Sequence, residues 1–126
     1  MPDRRAEIVR LATEVMGWRV YTSGRGSIVA CSPEDEDDRI LFTTHPWESA
    51  EWNPYTSWSD AGMLAEALQK EGHWFFIETV DIQTWASSVI RPYPAKPIRM
   101  EGATAPEAIC NAAIALLDAR KEEGKA

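Results

Sequence analysis

The 126 residues carry twenty acidic against thirteen basic side chains, a formal net charge of −7, with 44% hydrophobic and 26% charged residues. That balance is the mark of a folded globular chain, and six tryptophans in so short a sequence exclude a disordered one. The excess of acid also excludes broad, sequence-independent contact with a nucleic-acid backbone.

The length fits one domain, bounded here at residues 1–122 with a frayed tail at 123–126. No apolar run approaches the roughly 20 residues that cross a bilayer. "MPDRRAEIVR" places charges where a signal peptide has its apolar region. The expected location is therefore the cytoplasm, with no membrane partner.

In chain order, Ile8, Leu11, Ala12, Val15 and Met16 share one face at helical spacing, with Asp3 as the cap and Gly17 as the stop. "WRVYT" and "GSIVACS" read as two strands around the turn Ser23 to Gly26. "PEDEDDR" then holds five consecutive acids, Glu34, Asp35, Glu36, Asp37 and Asp38. Counted from Asp35 as a calcium loop, it has Ile40 where Gly is required and Pro46 where Glu is required, so it reads as a solvated acidic loop. "RILFTT" is the next strand.

"EWNPYTSWSD" sets Trp52, Tyr55 and Trp58 among loop-forming residues, with Asn53 beside them. Two readings stay open: a hydrophobic clamp that packs the loop against a sheet, or a stacking surface with a polar reader. A second helix follows, carried by Ala61, Leu64, Ala65 and Leu68, with Ser57 placed to cap at Asp60 and Gly72 as the stop. "HWFFIETV" and "TWASSVI" are strands joined near Asp81 to Gln83; apolar residues on both faces of the first predict a central, covered position.

"RPYPAKP" cannot be a central strand, since Pro92, Pro94 and Pro97 lack a backbone donor; its match to an Arg-x-x-Pro-x-x-Pro ligand pattern weighs less than the plain loop reading. "IRME" is a short strand before the clearest helix, "TAPEAICNAAIALLDA". There Thr104 and Glu107 form a capping box and Ile109, Ala112, Ala113, Leu116 and Leu117 an apolar stripe. Beyond it "RKEEGKA" is expected to fray. The sum is an α+β chain, a small α/β/α sandwich with a mainly antiparallel sheet and helices at the N-terminus, middle and C-terminus.

No set of residues declares a reaction. His45, His73, Cys31 and Cys110 have no recognised metal-ligand spacing, which predicts no metal and no cofactor. "SGRG" lies in a hairpin and lacks the lysine of a phosphate-binding loop. Cys110 falls on or beside the apolar face of the last helix, where a buried inert thiol is the ordinary outcome. The protein is expected not to be an enzyme.

The pieces "LATEVMGW", "WNPYTSWSDAGMLAEALQKEG" and "TAPEAICNAAIALL", in that order, resemble the three recurrent blocks of the phage ABA sandwich domain, a small family of phages and prophages. The resemblance covers about half the chain and implies a sheet packed between helical layers. It departs at Ser57, where the family's loop block commonly carries an acid, and in a longer link from Tyr21 to Thr44. No function is attached to the family, so the resemblance implies a phage gene product acting in the host bacterial cytosol and carries over no site residues.

Three functional readings follow. The first is a binding module that captures a nucleotide-like host immune signal as counter-defence, through Trp52, Asn53, Tyr55 and Trp58 joined by Arg91, Tyr93 and Arg99. The second is an acidic inhibitor of a host defence protein, in the manner of an anti-CRISPR, whose Glu34 to Asp38 run engages a basic surface. The third is a structural or regulatory phage module that pairs with itself, as a homo-oligomer, or with another phage protein.

Overall fold

The computed structural model describes residues 5–24, 26–32, 38–42, 52–91 and 95–124. Asp3, Arg25, Glu34 to Asp37, His45 and Pro92 to Pro94 lie outside the described residues. By its internal contacts the chain divides into two compact units, Met1–Asn53 and Pro54–Ala126.

In the first unit, helix α1 (Arg5–Arg10) runs on as a π-helical turn, Leu11–Val15, in which the Met16 N–H donates to the Leu11 carbonyl at 3.1 Å. The apolar spacing read from the sequence is the buried face: Ile8, Leu11, Ala12 and Val15 are all shielded from solvent. Strands β1 (Arg19–Thr22), β2 (Ile28–Cys31) and β3 (Asp38–Phe42) form an antiparallel sheet in that order. The β1–β2 hairpin closes through the Ser23 N–H on the Ser27 carbonyl at 2.8 Å and the Ser27 N–H on the Ser23 hydroxyl at 3.2 Å. Trp52 docks on this sheet, its N–H donating to the Ile40 carbonyl at 3.3 Å.

In the second unit, helix α2 (Trp58–Lys70) starts where the Ser57 hydroxyl accepts from the Asp60 N–H at 3.2 Å. It ends at Gly72, whose φ of 99° is the left-handed conformation that side chains resist. The turn is a Schellman motif: the His73 N–H donates to the Leu68 carbonyl at 3.1 Å and the Gly72 N–H to the Gln69 carbonyl at 3.0 Å. Strands β4 (Trp74–Asp81), β5 (Thr84–Ile90) and β6 (Ile98–Gly102) form a second antiparallel sheet, again in sequence order.

Helix α3 (Ala105–Gly124) begins with the expected capping box. The Thr104 hydroxyl accepts from the Glu107 N–H at 3.2 Å, and the Glu107 carboxylate reaches back to the Ala103 N–H at 3.4 Å. The helix packs over β5 and β6 and against α2. Close approach is set at Gly102, where a Cβ would lie 2.7 Å from the Ala108 backbone nitrogen. Four of the helix's alanines, Ala105, Ala108, Ala112 and Ala113, are buried, as a helix lying close on a sheet requires.

The α+β class, the antiparallel pairing and the three helix positions agree with the sequence. Two expectations are corrected. "HWFFIETV" is not a covered central strand: β4 is the edge and β5 the centre, and Trp74 and Phe76 remain 69% and 51% exposed. Nor does the chain fray at Arg120, for α3 continues through Gly124. Ion pairs tie its last turns down, Arg120 to Glu71 and Glu123 to Arg91, each at 2.7 Å.

Candidate functional site on the open face of the second sheet

Successive strand residues point to opposite faces, so one fixed contact orients the whole second sheet. Gly102 faces α3 and is paired with Trp85, which puts Trp85, Ser87 and Val89 on the helix side. The other face is open, and its side chains form cross-strand rows. Trp74 stands opposite Ile90; Phe76 opposite Ser88, itself opposite Arg99; and Glu78 opposite Ala86, itself opposite Glu101.

The face therefore grades from aromatic to ionic. Trp74, Phe76 and Ile90 are all exposed at one end. At the other, the Arg99 guanidinium lies 3.4 Å from both Glu78 and Glu101. Exposed pairs at that separation contribute little stability and leave the guanidinium available to a better acceptor.

A concavity of about 670 Å³ lies between α2 and the start of β4, at the edge of the sheet. Gly62, Ala65, Glu66 and Gln69 supply one wall, Gly72 and His73 the end, and Trp74 and Phe75 the other wall. His73 is fixed rather than poised. Its Nδ1 sits 3.1 Å from the Leu68 carbonyl, which can only accept, so Nδ1 carries the proton and Nε2 faces the Arg120 guanidinium at 3.4 Å as an acceptor. Among the described residues that line it, Glu66 alone carries a formal charge.

The residues singled out in the sequence are dispersed. Trp52 is fully buried, with its ring centroid 4.9 Å from that of Trp18 at 66° and Arg39 lying 4.9 Å over the Trp18 ring; it belongs to the core of the first unit. Asn53 is half-buried and Tyr55 buried. Trp58, in the first turn of α2, is 57% exposed and meets Trp85 edge-on at 5.6 Å.

Arg91 is committed elsewhere, to Glu123 at 2.7 Å and the Lys96 carbonyl at 2.9 Å. Tyr93 and Glu34 to Asp37 lie outside the described residues, and Asp38 opens β3 opposite Cys31. Of the described residues of that group, Arg99 alone stands on the open face. Sequence reasoning missed Trp74, Phe76 and Ser88. The usable signal was the i, i+2 aromatic pair in "HWFFIETV", which alternation puts on one face whatever covers it.

Neither Cys31 nor Cys110 forms a disulfide. Among the described residues no helix is long and apolar enough to cross a membrane. No curated protein and no solved structure matches the chain. The family model of the phage ABA sandwich domain matches residues 10–114, a span that takes in the six described strands, the whole of α2 and half of α3. Over most of its length, then, the chain belongs to the phage ABA sandwich domain family.

Proposed function

We propose that this member of a phage family is a non-catalytic binding protein that takes a nucleotide-like ligand on the open face of the second sheet. One observation carries the reading: the row Phe76, Ser88, Arg99, with an exposed ring at one end and a weakly held guanidinium at the other. Two strand spacings, about 10 Å, separate those ends. That reach suits a nucleobase stacked on Trp74 or Phe76 with its phosphate on Arg99 and a ribose hydroxyl near Ser88.

The carboxylates of Glu78 and Glu101 set the selectivity. They flank Arg99, so one phosphodiester charge finds a cation and a second phosphate meets acid. The favoured class is a cyclic nucleotide, with nucleoside triphosphates excluded by repulsion. In a phage setting, capture of this kind removes a host immune signal and acts as counter-defence. The acidic-inhibitor alternative rests on the sequence alone, on the net charge of −7 and the Glu34 to Asp38 run, of which Glu34 to Asp37 lie outside the described residues.

The test is a titration of intrinsic tryptophan fluorescence and thermal stability against linear and cyclic nucleotides and ADP-ribose derivatives. A saturable shift with a cyclic nucleotide, lost in Trp74→Ala and weakened about tenfold or more in Arg99→Gln, is expected. The reading is overturned if no compound shifts either signal, or if both variants, folded by circular dichroism, bind as the parent does.

A further inference from the structure

The two edges of the second sheet are built differently. Edge β6 is short, Ile98–Gly102, follows Pro97, and places Arg99 and Glu101 among its five residues. Those are the usual devices that stop a strand from pairing with another chain. Edge β4 is less guarded, its two charges, Glu78 and Asp81, both lying in the half nearer the hairpin. It runs eight residues, Trp74–Asp81, with no lysine, arginine or proline, and it exposes Trp74, Phe76, Ile77 and Val80. Its one irregularity, between Thr79 and Asp81, sits at the hairpin end and leaves Trp74 to Thr79 in unbroken register with β5.

We infer that β4 is a dimerisation edge: a second copy of this chain adds its own β4 in antiparallel register, joining two three-stranded sheets into one. Charge selects this occupant and the register. Each copy carries a net charge of −7, so two copies meet only where acids are sparse. Within β4 the acids are Glu78 and the terminal Asp81, and Glu78 is already shared with Arg99 on its own sheet.

A two-fold axis perpendicular to the sheet preserves its faces, so residues of like parity must pair. Centred on Glu78, the pairing would stack two carboxylates. Centred on Ile77, it sets Ile77 against the partner's Ile77, Phe76 against the partner's Glu78 and Phe75 against the partner's Thr79, with no like charges opposed. An unrelated extended peptide would gain the backbone bonds without this self-complementarity. The inference rests on the strand edge and stands whether or not a nucleotide binds.

Sedimentation velocity of the full chain over a concentration series should show a reversible monomer–dimer equilibrium. Ile77→Lys, at a position 41% exposed, sets two ammonium groups face to face and should raise the dimer dissociation constant about tenfold or more. In a Cys31→Ser background, Ile77→Cys should cross-link to its symmetry mate under mild oxidation, because directly paired strand residues lie about 5 Å apart at Cα. A parent that stays monomeric at every concentration overturns the inference. So does a dimer that Ile77→Lys leaves intact, or one in which Ile77→Cys does not cross-link.

Discussion

Strands β4 and β5 are hydrogen-bonded neighbours that read almost alike, each an apolar run opening near a tryptophan, yet one is a surface and the other a core. Size at the middle positions separates them. In β5, Ser87 and Val89 are fully buried on the helix side, and such small or compact side chains let α3 lie close. In β4 the paired places hold Ile77 and Phe75, which no described helix covers completely; Phe75 is half-buried and Ile77 exposed, as is Phe76 on the other face. Apolar composition marks a strand, while the step from strand to core depends on what bulk the covering helix can accommodate.

Charging the buried member of this pair should have the largest effect. Val89→Asp puts a carboxylate at a position with no solvent access, so its burial should cost several kcal/mol. Loss of the cooperative thermal transition is the expected outcome. A variant that melts as the parent does would mean that β5 is not the packed centre of the sheet.

Less severe should be Gly102→Ala. The added Cβ would stand 2.7 Å from the Ala108 nitrogen and 3.1 Å from its Cα, both backbone atoms that only a shift of α3 can relieve. Overpacking of this kind costs about 1–3 kcal/mol. A chemical denaturation midpoint lowered accordingly is expected, and an unchanged midpoint would show that α3 does not need its close seat.

Much of this fold was legible because the signals were local. Thr104 with Glu107, Ser57 with Asp60, and Gly72 after Leu68 name helix ends through bonds that span a few residues, and those bonds are present. Strand order was not legible in the same way. "HWFFIETV" has apolar residues on both faces, which a central strand needs, but an edge strand that binds something has them too.

The site was harder still. Trp52 and Trp58 look equivalent in the loop block, and only tertiary placement makes one core and leaves the other 57% exposed. Likewise Arg91 and Arg99 share a charge, yet the reach of α3 to Glu123 engages the first and leaves the second on the open face. The row from Phe76 to Arg99 joins residues far apart in sequence, and pairing register is the one quantity that short apolar runs leave open.

The smallest stability effect should come from Phe76→Thr, and it is the sharpest test of the comparison. Thr retains strand propensity, and the ring it replaces is 51% exposed, so little burial is lost. Unfolding free energy at low protein concentration should move by no more than about 0.5 kcal/mol. Concentration matters because a dimer held through β4 adds mass-action stability, which only the parent would keep as concentration rises. A gap between parent and variant that widens with concentration therefore reports the strand edge. A gap of about 2 kcal/mol or more already present at the lowest concentration would instead place Phe76 in a core, and β4 would then be as covered as β5.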